Sequence, residues 1–171
     1  MVLIGFMGSG KTSVGRKLSY RMRRTVEDTD KLIERQQGRS IGEIFATDGE
    51  AYFRQLETGL LKELGDKSQG KIYSVGGGTP VRPENRELLR RLGTVVYLRV
   101  RPETVYQRLK NDTTRPLLQC DDPLGRITEL LEQRREAYES CADIVIDADS
   151  ADLEEIVKKI EEETGNEAFS D

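Results

Sequence analysis

Two hydrophobic periods alternate along this chain. Met1, Val2, Leu3 and Ile4 form a short continuous apolar run, after which Val14, Leu18 and Met22 recur every fourth residue. The first pattern predicts a buried strand and the second a helix with one apolar face. Thr25, Val26 and Glu27 suit a short strand, followed by a helix over 31–37 that Gly38 ends. Ser40 and Glu43 have the spacing of a capping box, opening a short helix through Phe45. Gly49 breaks the chain before a longer helix over 50–64, whose buried stripe is Phe53, Leu56, Leu60 and Leu64. Further strands are expected over 71–75, 94–100 and 142–146. Helices are expected over 84–92, from Pro102 through Val105 and Leu109, over 124–140, and along Leu153, Ile156, Val157 and Ile160. Strands that alternate with helices build a parallel sheet covered on both faces. The expected class is α/β, a three-layer αβα sandwich around a five-stranded parallel sheet. The first strand is unusually short, as though residues preceded Met1.

Two segments fall outside this rhythm. Residues 111–123 have no hydrophobic period and carry Asp112, Thr113, Thr114, Arg115 and Pro116. A structureless stretch of that length within a compact domain reads as a mobile lid. The tail from Gly165 reads as frayed. The basic run Arg21, Arg23 and Arg24 reads as a solvated turn.

Composition narrows the function more than the fold. At 171 residues, 1–171 reads as a single domain. Lys and Arg number 27 against 31 Asp and Glu, a net charge of −4, so no basic excess exists to displace counterions from nucleic acid. With 34% of residues charged and no apolar run longer than a strand, neither a spanning segment nor a signal peptide is expected. Cys120 and Cys141 have no metal-type or redox spacing, and a reducing cytoplasm is the simplest setting. The sequence holds no histidine, so any general base must be a carboxylate and histidine triads are excluded.

Gly5-Phe6-Met7-Gly8-Ser9-Gly10-Lys11-Thr12 fills every fixed position of the phosphate-binding P-loop pattern, between the first predicted strand and the first predicted helix. Gly5, Gly8 and Gly10 permit backbone angles at which successive N–H groups turn inward around a phosphate. The helix N-terminus adds roughly half a positive charge at the same point. Lys11 can reach the β- and γ-phosphates, and the Thr12 hydroxyl can ligate Mg²⁺. The bland alternative is a glycine turn that happens to carry a lysine.

Other residues remain ambiguous when read alone. Asp28 and Asp30 stand at the end of a predicted strand, where ligands of open α/β sheets bind. On an extended segment they would point to opposite sides, and one of them can equally be a helix cap. Arg54 and Glu57 are three apart on one helix and can pair, as surface decoration or as part of a site. Gly76, Gly77 and Gly78 at a strand end suit close approach of another molecule to bare backbone. A GTPase or motor would instead end such a strand in a magnesium-positioning aspartate, so a small-molecule kinase fits better.

The set resembles the shikimate kinases, small relatives of the nucleoside monophosphate kinases. The resemblance rests on the P-loop, Asp28-Thr29-Asp30, the Gly49–Glu57 segment, Gly76-Gly77-Gly78-Thr79-Pro80, Arg115-Pro116-Leu117-Leu118, and Arg134 with Tyr138. These occur in the family's order across residues 1 to about 147. The resemblance implies phosphorylation of the shikimate 3-hydroxyl by ATP with Mg²⁺, in aromatic amino-acid biosynthesis, by a monomer. It implies that Gly8, Ser9, Gly10, Lys11, Thr12 and Ser13 hold the phosphates of ATP, and that Arg108 lies against adenine. Thr12 would ligate Mg²⁺ directly and Asp28 through water. Asp30 would bind the acceptor hydroxyls and accept a proton. Arg54 and Arg134 would clasp the acceptor carboxylate, with Glu57 orienting Arg54 and Gly76, Gly77 and Gly78 against the ring. Arg115 would be the catalytic lid arginine beside Lys11 and Asp30. Ala148, Asp149 and Ser150, where the family closes over adenine, have no residue-by-residue match. The alternatives are a gluconate or nucleoside monophosphate kinase on the same scaffold, and a non-catalytic ATP-binding module.

Overall fold

The computed structural model describes residues 1–65, 70–112, 120–150 and 152–165. Arg115 and most of the expected lid lie outside these, as does the expected frayed tail beyond Gly165. The elements in order are β1 (Val2–Ile4), α1 (Lys11–Met22), β2 (Val26–Asp28), α2 (Thr29–Gln37), α3 (Ile41–Gly65) and β3 (Ile72–Ser74). A single 3-10 turn (Thr79–Val81) follows, then α4 (Pro83–Leu92), β4 (Val95–Arg99), α5 (Pro102–Leu109), α6 (Pro123–Cys141), β5 (Ile144–Asp147) and α7 (Leu153–Thr164).

All strand pairs are parallel, in the order β2-β3-β1-β4-β5. β1 and β3 are buried along their whole length, as strands covered on both faces must be. The chain first steps to the edge at β2, returns through β3, and then crosses β1 to reach β4. Right-handed crossovers in opposite directions put their helices on opposite faces. Accordingly α1 packs with α7, while α4 packs with α6. The crevice of such a sheet opens at the C-terminal strand ends, where the direction of winding reverses. The P-loop and the three glycines follow strand ends at this rim, and Asp28 is the last residue of β2 there.

The main core surrounds the sheet and includes Leu3, Ile4, Leu18, Tyr73, Leu98 and Tyr138. A second, smaller cluster holds Ile33, Ile44, Phe53 and Leu60, joining α2 to α3. That cluster seats the part of α3 that carries Arg54 and Glu57. α3 is two helices run together across Gly49, whose φ of 83° and ψ of 173° interrupt the helical geometry. The break expected at Gly49 is therefore present. The capping box is also formed: Glu43 accepts from the Ser40 backbone N–H at 2.7 Å, and the Glu43 N–H donates to the Ser40 hydroxyl.

Two local expectations change. α2 begins at Thr29, two residues before the sequence pattern indicates, because Asp28 is its N-cap. Asp30 therefore stands in the first turn of a helix rather than on an extended segment. The run Arg21, Arg23 and Arg24 is not wholly a solvated turn. Arg21 belongs to α1 and pairs at 2.7 Å with Glu161 of α7, a carboxylate that is otherwise buried. No helix among the described residues is long and apolar enough to cross a membrane.

Candidate active site

The P-loop has the shape its sequence requires. Gly10 is the N-cap of α1 with φ 95°, a left-handed conformation that side chains resist, and its carbonyl accepts the first helical bond from Val14. Lys11 curls back over the loop, its Nζ donating to the Gly5 carbonyl at 2.8 Å and the Phe6 carbonyl at 3.0 Å. Gly8 also has positive φ. Ser9 is buried, its N–H donates to the Phe6 carbonyl, and its hydroxyl has no hydrogen-bond partner. Thr12 and Ser13 stand exposed in the first turn of α1. Arg108, reaching from α5, donates to the Gly8 carbonyl at 3.0 Å and to the carbonyls of Ala148 at 2.8 Å and Ser150 at 3.2 Å. One guanidinium thus ties the phosphate loop to the segment after β5, for which the resemblance gave no residue-by-residue match.

Asp28 and Asp30 divide their work. Asp28 Oδ1 accepts from the backbone N–H groups of Asp30 and Lys31 at 3.0 and 3.2 Å, so the helix-cap reading holds for Asp28. Asp30 is different. Its Oδ1 is buried and has no hydrogen-bond partner. Burial, together with the charges of Asp28 and Glu57, pushes its carboxyl up to about 6, while Lys11 and Arg54 act in the opposite direction. A carboxylate so placed is poised for a ligand or a proton.

Arg54 and Glu57 are also more than surface decoration. Arg54 donates to Glu57 at 2.7 Å and to Glu50 at 3.0 Å, and the Glu57 side chain is only 2% exposed. The other Glu57 oxygen accepts from the Thr79 hydroxyl at 2.6 Å. Asn85, fully buried in α4, donates to the Thr79 carbonyl at 2.9 Å and accepts from the Thr58 hydroxyl at 2.8 Å. Thr58, Thr79 and Asn85 thus link the Arg54 helix to the glycine turn. Sequence reasoning missed this network, because Asn85, the second residue of the predicted helix 84–92, looks like an ordinary exposed position.

The glycine turn is the meeting point. A Cβ on Gly76 would lie 2.9 Å from both Asp30 Oδ1 and Glu57 Oε1, and one on Gly78 would fall on the Arg54 guanidinium. Gly77 packs against the P-loop, 3.4 Å from the Gly5 carbonyl by the same measure. From α6, Tyr138 donates to the Gly77 carbonyl at 2.6 Å. Arg134, one turn earlier, lies over the Phe6 ring at 5.6 Å. Arg54 and Arg134 come from different helices, and both bear electrostatically on Tyr138. The structure therefore brings Asp30, Arg54, Arg134, Gly76, Gly77 and Gly78 to one place beside Lys11. Among the described residues no three acidic, His or Cys side chains cluster as a metal site. Magnesium that bridges nucleotide phosphates keeps several waters and needs only one or two protein oxygens, which Thr12 and Asp28 can supply.

A phosphate cradle facing an unsatisfied carboxylate, with two guanidinium groups just beyond it, suits phosphoryl transfer to a small anionic acceptor. The fold and site define a P-loop small-molecule kinase. The sequence profile of the shikimate kinase family matches residues 7–164. A shikimate kinase of Symbiobacterium thermophilum is 42% identical over 164 residues, covering 95% of this chain and 94% of the relative. The shikimate kinase of Acinetobacter baumannii, solved in complex with shikimate, superposes with a TM-score of 0.88 at 36% identity, over 97% of this chain and 93% of that one. This chain belongs to the shikimate kinase family. A gluconokinase from Sinorhizobium meliloti, at 17% identity and a TM-score of 0.54 over 92% of this chain and 86% of that one, shares the fold alone.

Proposed function

We propose that this protein transfers the γ-phosphoryl group of ATP to the 3-hydroxyl of shikimate, giving ADP and shikimate 3-phosphate. The observation that carries the reading is Asp30, a single carboxylate with an unsatisfied buried oxygen that feels the charges of both Lys11 and Arg54. It stands between the phosphate end and the carboxylate end of the site.

In this reading the acceptor carboxylate lies between Arg54 and Arg134, because guanidinium forks match a carboxylate bidentately. Its ring rests against Gly76, Gly77 and Gly78, and the 3-hydroxyl hydrogen-bonds to Asp30. As the hydroxyl oxygen attacks phosphorus in line, its proton passes to the Asp30 carboxylate and the bond to the β-phosphate oxygen breaks. Lys11 leaves its loop carbonyls for the β- and γ-phosphates, and the N–H groups from Gly8 to Ser13 take the remaining phosphate oxygens. Thr12, and Asp28 through water, would hold Mg²⁺, which neutralises phosphate charge when bound. Arg108 positions the wall against adenine. Arg115 is assigned the lid role on sequence resemblance alone. The proposal is completed by a monomer working in the cytoplasm.

The test is ADP release by the purified protein with ATP and Mg²⁺, with shikimate, gluconate and nucleoside monophosphates offered separately. Release with shikimate alone is expected. Release only with another acceptor would reassign the second site, and none at all despite ATP binding would indicate a non-catalytic module.

Gly78 gives a sharper check of the acceptor site. A Cβ there would collide with the Arg54 guanidinium, and overpacking of this kind costs about 1–3 kcal/mol. Gly78→Ala should raise the KM for shikimate roughly tenfold while the KM for ATP stays within about twofold. Equal increases in both constants would show that the glycine turn does not belong to the acceptor site.

A further inference from the structure

We infer that Thr79 is a positioning residue for the acceptor site, its hydroxyl fixing the Glu57 carboxylate against Arg54 and leaving Asp30 as the carboxylate open to the ligand. The inference rests on the proposed shikimate site and assigns a role within it.

Two carboxylates meet beside Gly76. A Cβ there would lie 2.9 Å from Asp30 Oδ1, 2.9 Å from Glu57 Oε1 and 3.2 Å from the Thr79 hydroxyl. The two oxygens differ in one respect. Glu57 Oε1 accepts from the Thr79 hydroxyl at 2.6 Å, whereas Asp30 Oδ1 has no hydrogen-bond partner. A hydroxyl has a single proton to donate, so that of Thr79 serves Glu57 alone. With Oε1 fixed there, Glu57 Oε2 is aimed at Arg54 at 2.7 Å. Glu50 also pairs with Arg54, at 3.0 Å, but its side chain is 65% exposed, and exposed pairs hold a geometry weakly. The firm anchor of Arg54 is Glu57, and the firm anchor of Glu57 is Thr79.

Thr79 is itself buried and held through its backbone. Its N–H donates to the Gly76 carbonyl at 3.1 Å, and its carbonyl accepts from Asn85 Nδ2 at 2.9 Å. Asn85 Oδ1 in turn accepts at 2.8 Å from the hydroxyl of Thr58, which stands beside Glu57 on α3. The bonds close a ring that leaves α3 at Glu57, passes through Thr79 and Asn85, and returns to α3 at Thr58. Such a ring fixes the Arg54 helix against the turn that carries Gly76, Gly77 and Gly78. A buried threonine needed only for its volume could be a valine, and valine would strip Glu57 Oε1 of its donor.

Thr79→Val removes the hydroxyl at nearly constant volume. Shikimate affinity, by calorimetry and by KM, is expected to weaken roughly tenfold while kcat and the KM for ATP move less than about twofold. Thr79→Ser and Thr79→Ala both lose the methyl group and differ only in the hydroxyl, so they carry the test even if Thr79→Val does not fold. Thr79→Ser should bind shikimate within about twofold of wild type, and Thr79→Ala should lose roughly tenfold. In an Arg54→Ala, Glu57→Gln background, adding Thr79→Val should change shikimate affinity by less than about twofold, because residues that act as one unit are not additive. Unaltered shikimate binding by Thr79→Val or Thr79→Ala would overturn the proposal. So would equal losses in Thr79→Ser and Thr79→Ala, or a loss from Thr79→Val that persists without Arg54, either of which would mean a general packing role. Wild-type protein that neither binds nor phosphorylates shikimate would overturn the functional reading itself, a result distinct from these.

Discussion

Asp30→Asn is expected to lower kcat with shikimate by roughly 10²–10⁴ while the protein becomes more stable, not less. Asparagine cannot accept the hydroxyl proton, so the transition state loses its base although the side chain keeps its shape. ATP affinity should hold, since the phosphates are held by the loop and Lys11. The stability gain follows from the sign of the pKa shift. Asp30 stands at about 6 in the folded protein against an ordinary value of 3.8, chiefly because burial disfavours its charge. Between those values the folded state binds more protons than the unfolded one, so ionised Asp30 opposes folding at neutral pH. Two pH units correspond to about 3 kcal/mol, an upper bound on what the charge costs at pH 7. Asp30→Asn should therefore unfold at higher urea than wild type at pH 7, and the gap should close as the pH falls toward 4. The activity of the wild type should fall with a midpoint near pH 6 as Asp30 takes up its proton. Turnover in Asp30→Asn comparable to wild type would remove both base and positioning roles from this residue.

Arg54→Ala should carry the largest combined loss of binding and stability. Shikimate affinity is expected to fall by about 2–5 kcal/mol, the usual cost of leaving a partly buried charge without its partner. The stability effect has a separate source. Glu57 is 2% exposed and would keep only the Thr79 hydroxyl after Arg54 is gone. A buried carboxylate stripped of its counter-ion costs roughly 3–5 kcal/mol. Arg54→Ala with Glu57→Gln should recover much of that stability and none of the shikimate affinity, which separates the two effects. Arg134→Ala provides the contrast. It strands no buried carboxylate, so it should lose affinity with little change in urea midpoint. Normal shikimate binding in Arg54→Ala would mean that the acceptor carboxylate lies elsewhere.

Much of the fold was legible because its determinants are local. The spacing of Val14, Leu18 and Met22, the capping box at Ser40 and Glu43, and the break at Gly49 each act within a few residues. Such signals survive without knowledge of the rest of the chain. Errors arose where a side chain answered to a distant partner. Arg21 looked solvated because its partner Glu161 is 140 residues away. Asp28 and Asp30 were indistinguishable because both readings, cap and site, suit an aspartate at a strand end. Arg54 and Glu57 looked like one more surface pair because spacing on a helix does not report burial.

The sequence by itself determined the α/β architecture, the phosphate loop and the absence of any histidine base, and with family resemblance it put forward the acceptor site proposed above. These follow from short-range rules: hydrophobic period, backbone freedom at glycine, and the chemistry of residue types. Only the tertiary structure decided that Asp28 caps a helix while Asp30 keeps an unsatisfied oxygen. It also decided that Arg54 is held by carboxylates while Arg134 lies over a ring face. Charge, burial and hydrogen-bond saturation depend on which groups the sheet brings together across long stretches of chain, and no local pattern encodes them.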